Sequence, residues 1–358
     1  MKLGSNPHPN PLPFPKGRGR KYCAAFLNYK AVNIFRWPDY FLPLLAGQRG
    51  EGRGEEPLAA WFRPRVFKFI LRVSRAALKR HKCRAPVVVA LFVIYFTAHA
   101  GGPSCAFDKT KMEFSGTPLE QAKCLLRPVA RGGVLGKPLA TLPQPLEKLI
   151  GQPVQINKSA LQQYLSKHHI AESDIGGPLT NKVTAKYFVI HDTSTPNYHE
   201  KPFPADINEA SWRLNDFARW KNQPVAHMFV NRVGQSLTWH EFSVSWRATK
   251  FESSTISKEQ SRGMFVHTEL SQPRRADPKS FAGNDAIAPM PGITTPQLDR
   301  LALLYVAASF EHGQWLVPGY HCAIDAGIPD GHDDPQNFDL NLWANRLELL
   351  LKEINRER

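Results

Sequence analysis

The stretch Lys186-Tyr187-Phe188-Val189-Ile190-His191 constrains the fold more than any other. Successive side chains of a strand point to opposite faces, so a run that is apolar at both parities has no face for solvent. Such a strand belongs inside a sheet that is covered on both sides. The signals downstream fit that setting. Glu209 to Lys221 reads as a helix carrying Trp212, Phe217 and Trp220. Ala226 to Asn231 and Ser236 to His240 read as strands joined through a turn at Gly234, and Met264 to Leu270 as a further strand. Thr295-Pro296 starts a helix with Leu298, Leu301, Ala302, Tyr305 and Ala308 at helical spacing, closed by Gly313. The expected fold class is α/β, a mixed central β-sheet flanked by helices.

Residues 107–180 are less legible. Thr117-Pro118 marks an N-cap and the first turn of a short helix, and Ser159 to His168 reads as another, with Leu161, Tyr164 and Leu165 on one side. Leu139 to Pro145 is Pro-rich and reads as extended. This region holds no repeat and no chemical motif. It is expected to be an extension packed on the following domain, the alternative being a small separate module.

The formal net charge of +15 would suggest a nucleic-acid or membrane partner. Its distribution argues against that. Met1 to Arg84 holds 18 Lys/Arg against four Asp/Glu, and the remainder holds 28 against 27. The basicity belongs to the leader, and no nucleic-acid partner is expected. Within the leader, the basic cluster Lys79 to Arg84 precedes the apolar run Ala85 to Phe96 and then Ala98-His99-Ala100. A charged region, a short apolar region and an A-x-A site make a secretory signal over 79–100, with cleavage near Ala100. The run is shorter than the roughly 20 apolar residues of a membrane span, so the membrane is met only through this segment if it stays uncleaved. Ser104-Cys105 follows Gly102-Pro103, which does not suit a lipoprotein site. The expected location is periplasmic or secreted. Residues 1–78 read as a disordered Pro/Gly-rich leader, or as translated sequence ahead of a true start near Val66. The five cysteines form no CxxC pair; Cys124 and Cys322 could pair in an oxidising compartment or stand as two buried thiols.

His191, at the end of a buried strand, is well placed for a site at the sheet's edge. A second cluster runs Gly319-Tyr320-His321, Gly331-His332-Asp333-Asp334-Pro335 and Phe338-Asp339. A zinc hydrolase needs three N/O ligands and an open position for water. His191, His321 and one carboxylate would supply them, though an Asp/Gly-rich surface loop has the same composition.

Five segments between about Thr184 and Leu347 add a resemblance. Val189-Ile190-His191, Val225-Ala226-His227-Met228-Phe229-Val230 up to Gly234, Trp246-Arg247-Ala248, Glu269-Leu270-Ser271-Gln272, and Gly319-Tyr320-His321 through Asp334-Pro335 occur in that order. Together they resemble the N-acetylmuramoyl-L-alanine amidases of type 2, relatives of the peptidoglycan recognition proteins. The resemblance implies a zinc amidase domain over 181–350 that hydrolyses the amide between N-acetylmuramic acid and L-alanine, in peptidoglycan or muropeptides. It implies His191, His321 and Asp334 as ligands of Zn2+, Asp334 rather than Asp333 because the family's ligand directly precedes Pro. It also implies Glu269 as the catalytic carboxylate, with His267 on the same strand face as runner-up base or supporting partner. His332 stands where the family often has Lys and could stabilise an oxyanion if protonated or donating through N–H. Two departures stand out: Arg247 replaces the family's His, and the spacing from His321 to Asp334 is longer than usual. His227 is expected to be structural, and Trp239, Trp246 and Arg247 are candidates to line a sugar–peptide groove. Two alternatives remain open, a peptidoglycan-binding module without catalysis and a zinc peptidase cutting within the stem peptide. Nothing in the sequence bears on oligomeric state.

Overall fold

The computed structural model describes residues 105–357, apart from 130–133, 181, 257–258, 261 and 281. The leader, the signal segment and the start near Val66 lie outside the described residues. In chain order the elements are β1 (Phe107–Asp108), β2 (Glu113–Phe114), α1 (Pro118–Leu125), α2 (Gln144–Leu149), α3 (Lys158–Lys167), β3 (Tyr187–Asp192), β4 (Met228–Val230), β5 (Ser236–Thr238), α4 (Lys250–Ser254), β6 (Phe265–Leu270), α5 (Thr295–His312), β7 (Val317–Tyr320), α6 (His321–Ile324) and α7 (Leu340–Arg356). The fold is α/β. One five-stranded sheet runs in the order β5-β4-β6-β3-β7, antiparallel only between β4 and β5. β3 is buried at every position, as its two-sided apolar pattern requires.

The helices start and stop where local chemistry directs. Thr117 and Glu120 form a capping box at α1, with Pro118 in the first turn, where its missing N–H costs nothing. Thr294 and Gln297 do the same for α5, which ends at Gly313 with φ of 85°. A residue with a Cβ is strained in that left-handed conformation. α7 buries the stripe Trp343, Ala344, Leu347, Leu350 and Ile354, each large side chain contributing roughly 1.5–3 kcal/mol. Trp343 meets Tyr305 of α5 at 5.5 Å between ring centroids.

The region 107–180 shares the core of the sheet. Phe114, Leu125, Leu146, Leu161 and Leu165 lie in the same hydrophobic cluster as Phe188 and Leu301. α1 packs so closely on β7 that a Cβ on Gly319 would stand 3.0 Å from Leu125 Cβ.

Three expectations are corrected. Glu209 to Lys221 is not a helix; it is a run of turns with one 3-10 turn at Phe217–Arg219. Its side chains take the backbone's partners: Asn215 Nδ2 donates to the Glu209 carbonyl and the Trp220 indole to that of Leu214. Its aromatic residues bury in a second cluster around Trp212, Trp220 and Phe229. Leu139 to Pro145 is not extended throughout, because α2 begins at Gln144 with Pro145 in its first turn. Cys124 pairs with Cys105, not Cys322, which is a buried free thiol. Among the described residues no helix is long and apolar enough to cross a membrane.

Glu311, in the last turn of α5, is buried, and among the described residues neither carboxylate oxygen has a hydrogen-bond partner. Burial, with Glu241 and Glu172 nearby, pushes its carboxyl from 4.5 up to about 8. The folded chain therefore holds a proton that the unfolded chain releases earlier. This contribution is complete below about pH 4.5 and is lost as pH rises through about 8, with a slope of at most ~1.4 kcal/mol per pH unit. Urea unfolding at pH 5 and pH 9 checks it: Glu311→Gln is expected to be near neutral at pH 5 and stabilising at pH 9. Equal effects at both would remove Glu311 as the cause.

Candidate metal centre

Register places the first half of the site. Parallel pairing of β3 with β6 sets Tyr187 beside Phe265, Val189 beside His267 and His191 beside Glu269. These share one sheet face by the two-residue period of a strand. The opposite parity turns to α5, where the Phe188 ring meets Tyr305 at 5.3 Å. On the other flank of β3, β7 brings Tyr320 level with Ile190. His321, the next residue, opens α6 directly beside His191. Both histidines stand at the carboxyl ends of parallel strands, where open α/β sheets place their ligands.

Nδ1 of His191 and Nδ1 of His321 are 2.8 Å apart. Asp334 returns to them after α6, its carbonyl accepting from Cys322 N–H and its carboxylate from Asp192 N–H at 2.9 Å. Asp334 Oδ1 is 3.1 Å from His321 Nδ1, and Oδ2 is 3.9 Å from His191 Nδ1. The extra residues of this loop are absorbed in turns closed by Ile328 N–H to Asp325 and Gly331 N–H to Ile328. All three side chains are buried, and their ligand atoms lie within 4.8 Å of one another. Asp333 is not among them: it accepts from Gln336 Nε2, and burial pushes its carboxyl up to about 6.

The charges suit a cation. Burial and the neighbouring His321 and His267 push His191 well below the usual histidine range. Burial acts the same way on His321, but the Asp334 charge and contacts with Asp325 and Asp334 outweigh it and hold His321 well above that range. Burial would raise Asp334, but His321 draws it well below the usual carboxylate range. The carboxylates thus favour positive charge at His321, and burial disfavours it at His191. A divalent ion would bring that charge to the same three atoms, two imidazole nitrogens and a carboxylate oxygen, which is a borderline-metal donor set.

Glu269 stands at the rim, its side chain 12% exposed and Oε2 4.0 Å from His191 Nδ1. His332 is 53% exposed, with Nδ1 3.5 Å from Asp334 Oδ1 and its ring 4.5 Å from that of His321. His267 reaches back to His191, Nδ1 to Nε2, at 3.0 Å. His227 is buried, accepting the His267 N–H at Nδ1 and facing the Val244 carbonyl through Nε2. Trp239 joins the second aromatic cluster, Trp246 stacks on His240 at 3.9 Å, and Arg247 is exposed. A cavity of about 640 Å³ includes Tyr320 and Pro335 in its lining but none of the three ligand candidates.

Two residues absent from the sequence reading belong to this site's surroundings. Asp325 Oδ2 lies 3.1 Å from His321 Nε2, and Glu252 Oε2 lies 3.2 Å from His267 Nε2. The i,i+4 spacing of His321 and Asp325 and the Thr249-x-x-Glu252 pattern were visible signals, but neither shows what the carboxylate faces. Fold and site together define an α/β chain with a buried two-histidine, one-carboxylate group able to hold a metal ion. Comparison with protein-family models, curated proteins and solved structures found no match.

Proposed function

We propose that this chain is a zinc-dependent N-acetylmuramoyl-L-alanine amidase of type 2, acting on peptidoglycan or its muropeptide fragments. The observation that carries the reading is the convergence of His191, His321 and Asp334, with the Glu269 carboxylate 4.0 Å from His191. These are the residues the family resemblance assigns to the metal and to proton transfer. Zinc, when bound, supplies a Lewis acid that lowers the pKa of water toward about 7 and polarises a carbonyl. Glu269, at the open rim, takes a proton from the attacking water and passes it to the departing L-alanine amine. His332, exposed beside Asp334, donates N–H to the carbonyl oxygen as negative charge develops there. The Cys105–Cys124 disulfide supports an exported protein, periplasmic or secreted, since such bonds persist in oxidising compartments.

Digestion of purified sacculi, followed by mass spectrometry of the products, tests this. Stem peptides with a free L-alanine amino terminus are expected, and none after treatment with a chelator. Binding without products, or cleavage inside the stem, overturns the reading.

A further inference from the structure

Behind His191 lies a line of buried polar groups outside the ligand set. His191 Nε2 is 3.0 Å from His267 Nδ1, and the two rings meet edge-on at 5.2 Å. Among the described residues His267 Nε2 has no hydrogen-bond partner, and Glu252 Oε2 lies 3.2 Å from it. Both side chains are completely buried, so water offers no substitute partner.

Glu252 belongs to the first turn of α4, in a capping box with Thr249. Its Oε2 accepts from the backbone N–H groups of Ala248 and Thr249 and from the Thr249 hydroxyl. An oxygen that already takes three donors serves as an acceptor, so the proton between Glu252 and His267 is assigned to His267 Nε2. His267 Nδ1 is then bare and accepts from His191 Nε2–H. That leaves the lone pair of His191 Nδ1 directed at His321 and Asp334. With every tautomer reversed, His191 Nδ1 would carry hydrogen and could not ligate. Asp325 anchors the other histidine from the same place. Beside His321 Nε2, its carboxylate also accepts from Lys250 N–H and Phe251 N–H, the opening residues of α4.

We infer that Glu252 and His267 are positioning residues for the metal. Through His267, Glu252 selects the tautomer in which His191 ligates by Nδ1, and the start of α4, with Asp325, is the common anchor of both histidines. The inference rests on the metal reading above. Partners of this kind orient ligating imidazoles, and their loss weakens metal affinity by about 10–100-fold.

The test is a zinc titration of the metal-stripped full chain against a chromophoric competing chelator. His267→Phe, which keeps a ring but removes the acceptor, is expected to weaken zinc by about 10–100-fold, and Glu252→Gln by about tenfold. Unchanged affinity in either variant removes that residue from the relay and overturns the proposal. Nitrogen NMR of the histidines in the unsubstituted protein gives a second readout that needs no variant to fold. Nε2–H tautomers are expected at both His191 and His267, and Nδ1–H at His267 overturns the proposal. If the unsubstituted chain binds no zinc, the metal reading itself falls, and this inference with it.

Discussion

Replacing His191 by alanine is expected to remove zinc binding and hydrolysis together. Structural zinc sites are worth ~10 kcal/mol or more, which sets the scale for the centre proposed above. Spread over three ligands, the loss of one removes ~3 kcal/mol, about 100-fold in affinity. The residual effect is larger than that share, because Asp334 and His321 then face an apolar gap where the second imidazole stood, 2.8 Å from His321. Glu269→Gln should separate the two functions. Glu269 lies outside the buried group His191, His321 and Asp334, its carboxylate 4.0 Å from His191 Nδ1, so zinc should stay while turnover falls by about 100- to 10,000-fold, the usual share of a general base. Metal content by atomic spectroscopy and release of stem peptides from sacculi check both variants. Full activity in His191→Ala removes His191 from the site. Loss of zinc in Glu269→Gln makes Glu269 a ligand rather than a base.

Asp192→Ala is expected to cost about 3–5 kcal/mol of folding stability. Asp192 and Arg274 form an ion pair at 2.6 and 2.9 Å with both side chains fully enclosed. Removing the carboxylate leaves a buried guanidinium unpaired, and Gln336 N–H and Ser194 N–H lose their acceptor as well. Against a domain stability of roughly 5–15 kcal/mol, that is a large fraction. Replacing both partners, Asp192→Leu with Arg274→Met, should recover most of the loss, because no uncompensated charge remains. Urea unfolding midpoints at constant slope measure the effect. A loss below about 1 kcal/mol in Asp192→Ala would show that the buried pair does not anchor this end of β3.

Much of the fold was legible because its signals are local. The two-sided apolar run at Tyr187 to Ile190 announced a covered strand, and that strand is paired on both sides within a mixed sheet. Capping residues and periodicity set α1 and α5 almost to the residue. Glu209 to Lys221 misled because its aromatic spacing suits a helix, whereas Asn215 and Trp220 bond to backbone carbonyls that a helix would need. The cysteine pairing was out of reach, since a disulfide depends on which chains meet in space.

The histidines show the same division. A polar residue at the end of an apolar strand marked His191, a cluster rich in His, Asp and Gly marked His321, and family resemblance picked Asp334 and Glu269. By itself, the sequence determined the covered strand at Tyr187 to Ile190 and the helix caps, because each depends on neighbours within a few positions. Only the tertiary structure decided that His267 Nδ1 stands 3.0 Å from His191 Nε2. It alone showed Glu252 behind His267 and Asp325 behind His321. Those contacts join residues on separate elements, and they exist only once strand register and the packing of α4 have brought the elements together.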